Sequence, residues 1–247
     1  MRIALLADLH ANREAVEAVL ADAHRRGFDR LALLGDFVGY GPDPAWVLGC
    51  VRELVAGGAI AVRGNHDAAV VEGPRSTMRS EVLDVIDWTR AQLTTDDLGF
   101  LASLPLTHEA GDVLYVHANA WEPEGWAYVE GRSEAARSLH ATPRRLTFCG
   151  HIHEPRLYHL SPVGKVADFT PTPGVAVPLL AQRRWLGIPG SAGQPRDGNP
   201  AACYALHDDR AGTLTFLRVP YDHEATASRM RSLGLPEAFA SRLAHGH

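Results

Sequence analysis

RIALLADLH (residues 2–10), LALLGD (31–36) and AIAVRGNHD (59–67) repeat one pattern: four to six apolar residues that end abruptly in aspartate, histidine or asparagine. Each apolar run is strand length and too short for a buried helix. The chain between the runs has helical spacing. Ala15, Val16, Val19, Leu20 and Ala23 share one face over Arg13 to Arg26, and Trp46, Val47, Val51 and Leu54 share another over Pro44 to Val55. Short, wholly apolar strands separated by amphipathic helices predict βαβ units in a mostly parallel sheet covered on both faces.

Further along the chain, VLYVH (113–117) and LTFCGHIH (146–153) repeat the strand-then-polar pattern. Residues 75–104 read as helical, through Val82, Val85, Ile86, Trp88 and Leu93. The aromatic, glycine-containing stretch from Trp121 to Arg132 reads as a loop able to border a pocket. Strand signals follow at Arg156–Leu160, Cys203–Leu206 and Thr213–Val219, and their succession predicts a second, more antiparallel sheet. From about His223 the chain reads as one or two helices, broken near Gly234-Leu-Pro236. With no internal repeat and no linker, residues 1–247 read as a single domain with these last helices packed on it.

The polar residues sit where such sheets bind ligands, just past the carboxyl ends of the strands. Asp8 and His10 follow the first strand, Asp36 the second, Asn65, His66 and Asp67 the third, His117 the fourth, and His151 and His153 the fifth. Imidazole suits Zn, Fe, Mn, Ni or Co, and carboxylate and amide oxygens suit harder ions. Two neighbouring cations need an anion between them, and Asp36 is central in chain order. The i, i+2 spacing of Asp8/His10 and His151/His153 puts each pair on one face of extended chain. Gly35, Gly64 and Gly150 allow a sharp turn or a close approach. Asp-x-His or Gly-Asp alone is an ordinary turn; five such elements in order, each behind a strand, are a site.

Composition narrows the class. The 247 residues carry 46% apolar and 21% charged side chains and a formal charge of −5. That excludes a disordered chain and argues against a dedicated nucleic-acid surface or a membrane partner. No apolar run is long enough to span a bilayer and no signal peptide is visible. Three scattered cysteines, Cys50, Cys149 and Cys203, do not make a disulfide framework, so a reducing cytoplasm is the expected location. The oligomeric state is not legible. Histidines 24, 108, 140, 159, 207, 223, 245 and 247 lack motif context and read as solvated or structural.

The ordered series Asp8-x-His10, Gly35-Asp36, Gly64-Asn65-His66-Asp67, His117, Gly150-His151-x-His153 resembles the signature of the calcineurin-like metallophosphoesterase superfamily. Asn12, Gly39-Tyr-Gly-Pro-Asp43 and the 189–198 stretch resemble its bacterial and archaeal diadenosine tetraphosphatase-like or protein-phosphatase-like branch. The resemblance implies an α/β fold, a four-layer α/β/β/α sandwich with two mixed β-sheets flanked by helices. It implies two divalent or trivalent transition-metal ions, Mn²⁺ first and Fe, Zn, Ni or Co also suitable. One ion would take Asp8, His10, Asp36 and His153, the other Asp36, Asn65, His117 and His151. A metal-bridging hydroxide would attack phosphorus, with His66 assisting the leaving group and Asp67 orienting its ring. Ala118-Asn119, Ile152 and Ala192 depart from the usual residues at the rim, where substrate is chosen.

Substrate contacts are less determinate. Arg196, in a glycine-rich loop, is either a phosphate ligand or a surface arginine in an ion pair. Asn12 either donates to substrate or caps the helix starting near Arg13, capping being the better reading. Tyr40 either stacks a base or fills the core. The expected activity is a phosphatase or phosphodiesterase acting on a small phosphorylated or nucleotide substrate. Monoester, diester, dinucleoside polyphosphate and phosphoprotein are all compatible. The rival is a catalytically silent metal-binding scaffold of the same fold that acts through partners.

Overall fold

A computed structural model describes residues 1–73 and 80–247. Residues 75–79 of the segment expected to be helical lie outside the described residues.

The three opening strands form as expected: β1 (Arg2–Leu6), β2 (Arg30–Leu33) and the short β3 (Ile60–Ala61). They run parallel in the order β3-β2-β1. Between them lie α1 (Arg13–Arg26) and α2 (Pro44–Ala56). Past the arginines that open β1 and β2, the strands are apolar at every position because both faces are covered. Ala4 and Leu6 of β1 and Leu31 and Leu33 of β2 pack on Val16, Val19, Val47 and Val51 of the helices. Their neighbours Ile3, Leu5 and Ala32 point the other way into the inter-sheet core, the period-two alternation of extended chain.

The first sheet is completed antiparallel by β11 (Ala202–Asp208), β12 (Thr213–Val219) and β9 (Ala176–Pro178). The second sheet has the order β4-β5-β6-β10-β7-β8. Its parallel centre is β5 (Val113–Val116), β6 (Leu146–Phe148) and β10 (Arg184–Pro189). β4 (Thr107–Ala110), β7 (Pro155–Leu160) and β8 (Val166–Phe169) join antiparallel. Both sheets are mixed. They face each other across Leu5, Leu34, Tyr115, Phe148, Trp185 and Phe216. Helix α6 (Arg132–His140) covers the outer face of the second sheet through Ala135 and Leu139. The four-layer α/β/β/α sandwich is thus present.

One expectation is corrected. The sheets do not follow the halves of the chain: the strands at 113–116 and 146–148 open the second sheet, while those at 202–208 and 213–219 close the first. Apolar periodicity identifies a strand but not its neighbours.

Helix α3 (Asn65–Glu72) begins at the third motif, and α4 (Ser80–Ala91) and α5 (Thr95–Ser103) follow. Thr94 and Asp97 form a reciprocal cap at the start of α5. The C-terminal pair is α7 (His223–Ser232) and α8 (Glu237–His245), broken at 233–236 as expected. It is tied to the front of the sandwich. Thr226 donates to Glu14 at 2.8 Å, Arg229 to Asp43 at 3.0 Å, and the Gly198 amide to the Gly246 carbonyl at 2.8 Å. No helix among the described residues is long and apolar enough to cross a membrane.

Candidate metal centre

The strand ends deliver their polar side chains to one rim. Asp8, His10, Asp36, His117, His151 and His153 are all buried there. Their ligand atoms fall into two groups within 4.8 Å, Asp8/His10/Asp36/His153 and Asp36/His117/His151, with Asp36 common to both. Asn65 joins the second group, its Oδ1 lying 3.1 Å from His117 Nε2.

Convergence requires sharp backbone turns. Asp8, His10, Asp36, His151 and His153 all have φ between +46° and +74°, a region that non-glycine residues seldom enter and that concentrates at functional sites. The glycines supply the close approaches expected of them. A Cβ on Gly64 would lie 2.1 Å from Asp36 Oδ1, and one on Gly150 would lie 2.8 Å from Asp8 Oδ2.

Four imidazoles are fixed in orientation and tautomer. His10 Nδ1 faces the Val38 carbonyl at 3.1 Å, His117 Nδ1 faces Leu34 at 2.7 Å, His153 Nδ1 faces Gln194 at 2.7 Å, and His151 Nε2 faces Trp126 at 2.9 Å. A carbonyl only accepts, so each of these nitrogens carries the proton and the other ring nitrogen presents a lone pair. Those lone pairs face each other: His10 Nε2 and His153 Nε2 are 3.1 Å apart, and His117 Nε2 and His151 Nδ1 are 3.2 Å apart. Two acceptors at that distance repel unless a proton or a cation lies between them. Nitrogens bound to one cation at about 2.1 Å each stand about 3.0–3.4 Å apart. Asp36 Oδ2 is buried without a hydrogen-bond donor, 3.3 Å from His117 Nε2 and 3.7 Å from His10 Nε2. The donor set fits two cations that share Asp36.

Electrostatics agree. Burial pushes the Asp8 carboxyl up to about 7, with Asp36 adding to it. Burial also holds His10 and His153 far below the ordinary imidazole range and takes His151 down to about 3. For His117 burial acts downward too, but the Asp36 charge and hydrogen bond together with Asp8 outweigh it and raise the ring to about 9. His117 Nε2 is thus the point of the site most drawn to positive charge, which a cation beside Asp36 would supply.

His66 lies beside the donors, its ring buried, with no hydrogen-bond partner at Nδ1. Burial lowers its pKa to about 4. Asp67 does not orient that ring. Its Oδ2 accepts from the amides of Asp36 and Gly64, both at 2.9 Å, and its Oδ1 from those of Phe37 at 2.9 Å and Val38 at 3.3 Å. Asp67 is therefore a clamp between the start of α3 and the loop that carries Asp36. A carboxylate at the third helical position is drawn to backbone amides rather than to the preceding side chain.

Asn12 takes the capping role, the better of its two readings. Its Oδ1 accepts from the Ala15 amide, capping α1, and its Nδ2 donates to the Gly193 carbonyl at 2.7 Å and to the Tyr221 hydroxyl. Buried and fully engaged, it staples the rim loops and is not a substrate contact. Arg196 stands at the mouth. Its guanidinium lies over the Tyr40 ring at 5.6 Å and donates to Gln194 Oε1 at 3.0 Å. Among the described residues it forms no ion pair, and its charge is felt at Asp8, His10, His66 and His153. The loop aromatics divide. Trp121 and Trp126 pack against core, whereas Tyr128 is 44% exposed and stacks on His151 at 4.0 Å. Tyr128 thus borders the site, as the aromatic loop was expected to, whereas the role of Gln194 carried no sequence signal, because it acts through its carbonyl.

The calcineurin-like phosphoesterase superfamily domain matches residues 1–211. The chain belongs to that superfamily. It is 38% identical to a metallophosphoesterase from Sphaerobacter thermophilus of known structure, with a TM-score of 0.88 over 100% of this chain and 99% of that one. It is 32% identical to an uncharacterized protein of Methanocaldococcus jannaschii, over 98% of this chain and 96% of that protein. A symmetrical bis(5'-nucleosyl)-tetraphosphatase of Nitrosospira multiformis is 34% identical over 119 residues, 43% of this chain and 38% of its own length. Helices α7 and α8 lie beyond the segment that the superfamily domain matches.

Proposed function

We propose that this chain hydrolyses phosphate esters or anhydrides with two transition-metal ions, Mn²⁺ first among them. Asp8, His10, Asp36 and His153 would hold one, and Asp36, Asn65, His117 and His151 the other. The observation that carries this reading is the pair of opposed imidazole lone pairs flanking an unpartnered Asp36 oxygen. When bound, two such ions would supply Lewis acidity, offsetting charge on phosphoryl oxygens and lowering the pKa of a water toward roughly 7.

The protein's own groups do the rest. The carbonyls of Leu34, Val38, Trp126 and Gln194 hold four rings in the ligating tautomer. Arg196 aims a planar cation at the mouth, suited to a second phosphoryl oxygen pair. His66, neutral in its buried position, offers a ring N–H to the departing oxygen, and an arriving phosphate anion raises its pKa and so its proton occupancy. A small phosphorylated or nucleotide substrate fits best. The Nitrosospira relative supports a nucleotide anhydride, and the exposed face of Tyr128 suits a base.

The test is metal analysis of the purified protein, then turnover of p-nitrophenyl phosphate, bis-p-nitrophenyl phosphate and a nucleotide panel with Mn²⁺, EDTA serving as control. Turnover that EDTA abolishes and Mn²⁺ restores is expected. A verified metal-loaded protein inert to the whole panel would favour the scaffold reading.

A further inference from the structure

His66 is left without its expected orienting partner, because Asp67 is committed to four backbone amides. Its Nδ1 is buried and makes no hydrogen bond. A leaving-group residue on an unrestrained ring would sample several rotamers, and misplacement by about 1 Å can cost roughly a hundredfold in rate. Packing therefore has to set this ring, and the neighbours that do so are on one loop. The Tyr40 ring lies 4.5 Å from that of His66 and 4.7 Å from that of His10, and His10 and His66 meet edge-on at 4.9 Å. Gly39, at φ +84°, leaves the room that lets His66 approach: a Cβ there would sit 2.5 Å from His66 Nδ1.

Tyr40 is itself fixed from behind. It is buried at φ +61° and meets Phe239 of α8 edge-to-face at 4.9 Å, within a cluster that includes Met230, Ala240 and Leu243. On its open side lies the Arg196 guanidinium. Tyr40 is thus neither a free base-stacking platform nor plain core.

The geometry points to Tyr40 as the positioning residue of His66, with Phe239 as its backing, so that the C-terminal helix α8 sets leaving-group assistance from outside the matched phosphoesterase domain. The chain runs Phe239, Tyr40, His66, three rings in successive contact. This inference rests on the hydrolase reading for its kinetic consequence but not for its geometry.

The experiment compares wild type with Tyr40→Phe, Tyr40→Ala, Phe239→Ala and His66→Ala, each metal-loaded to measured full content, on phenyl phosphate (poor leaving group) and p-nitrophenyl phosphate (good leaving group). A positioned acid contributes about 10²–10⁴-fold. Tyr40→Ala is therefore expected to lose at least about tenfold in kcat on phenyl phosphate and no more than about threefold on p-nitrophenyl phosphate. Phe239→Ala should shift both in the same sense, and Tyr40→Phe, which keeps the ring and loses only the hydroxyl's hydrogen bond with Arg196, should keep the wild-type ratio of the two rates. Adding Tyr40→Ala to His66→Ala should cost nothing more. Equal losses on both substrates, or a full further loss in the His66→Ala background, would overturn the proposal. So would a Tyr40→Phe defect as large as that of Tyr40→Ala.

Should Tyr40→Ala fail to fold, Phe239→Leu carries the same comparison, since it keeps the burial and removes the ring. A second readout needs no turnover: in metal-free protein the His66 Hδ2 resonance should shift and broaden in Phe239→Leu, which leaves the Tyr40 ring and its ring current in place, and stay put in Tyr40→Phe. An unmoved resonance would refute the positioning role even if wild type hydrolyses nothing, and a moved one would sustain it in that same case.

Discussion

Asp67→Asn separates two roles for one carboxylate. The substitution is nearly isosteric, so packing around the buried side chain is unchanged. Its effect comes from hydrogen bonding. Each carboxylate oxygen of Asp67 accepts two backbone N–H groups, Asp36 and Gly64 at one, Phe37 and Val38 at the other. An amide flipped either way keeps one oxygen and turns an NH₂ toward the other two donors. Two buried N–H groups are then unsatisfied, at about 1–3 kcal/mol each, so the expected loss is about 4 kcal/mol. For a domain of this size that lowers Tm by roughly 8–16 °C.

The damage is also local to the site, because the Asp36 amide is one of the four. The loop that carries the shared carboxylate would loosen, and metal content should fall with stability. Thermal unfolding followed by circular dichroism and metal stoichiometry on dialysed protein check both effects. If Asp67 instead only oriented His66, the variant would keep its Tm and both ions and lose turnover alone. A Tm within about 3 °C of wild type, no more than the shift expected for about 1 kcal/mol, with full metal occupancy, would refute the clamp.

Three further outcomes are expected. Gly64→Ala drives a Cβ to 2.1 Å from Asp36 Oδ1 and should abolish metal binding, whereas Gly49→Ala, whose Cβ would meet nothing within 4 Å inside α2, should be neutral or stabilise by up to about 1 kcal/mol; metal analysis and urea unfolding of the pair check this. Arg196→Ala should lower kcat/KM by about 10–100-fold, the equivalent of about 1.5–3 kcal/mol for a hydrogen bond to a charged group, without changing metal content. His207, buried in β11 against Phe148, has its pKa lowered by burial from 6.5 to about 4. The folded state therefore binds the proton less readily than the unfolded one. His207's stabilising contribution is complete above pH 6.5 and lost as pH falls toward 4, by about 2 kcal/mol between pH 7 and pH 5. Urea midpoints should show that His207→Gln flattens this part of the profile, and an unchanged slope would count against it.

The fold and the convergence of these donors on one rim were legible in the sequence for a shared reason. A strand buried on both faces is apolar along its buried length, so the polar residues just after it mark the rim, and Asp8, Asp36, Asn65, His117 and His151 all sit within four residues of such an end. What was not legible depends on atoms that composition does not encode. Pairing partners are set by the whole core, which is why β11 and β12 closed the first sheet rather than the second. The Gln194, Trp126, Leu34 and Val38 contributions are backbone carbonyls, available from any residue type. Asp67 was misread because a motif shows adjacency, and at the start of α3 the nearest unsatisfied donors are amides rather than the neighbouring ring.

The same distinction explains why the site carries so much backbone strain. Donors two residues apart share a face of ideal extended chain but are spaced about 6.6 Å along it, too far for atoms that lie within 4.8 Å of one another in each group. Asp8 and His10 serve the same group only because Asp8, His10 and Ala11 turn through positive φ, and His151 and His153 serve different groups through turns of the same kind. Each such non-glycine residue costs on the order of 1–2 kcal/mol, and opposed lone pairs add repulsion. Among the described residues no side-chain donor reaches Asp36 Oδ2 to offset these costs. Cations between the nitrogens and beside that oxygen would turn the repulsion into attraction and offset part of the strain, so metal binding would stabilise the five rim loops.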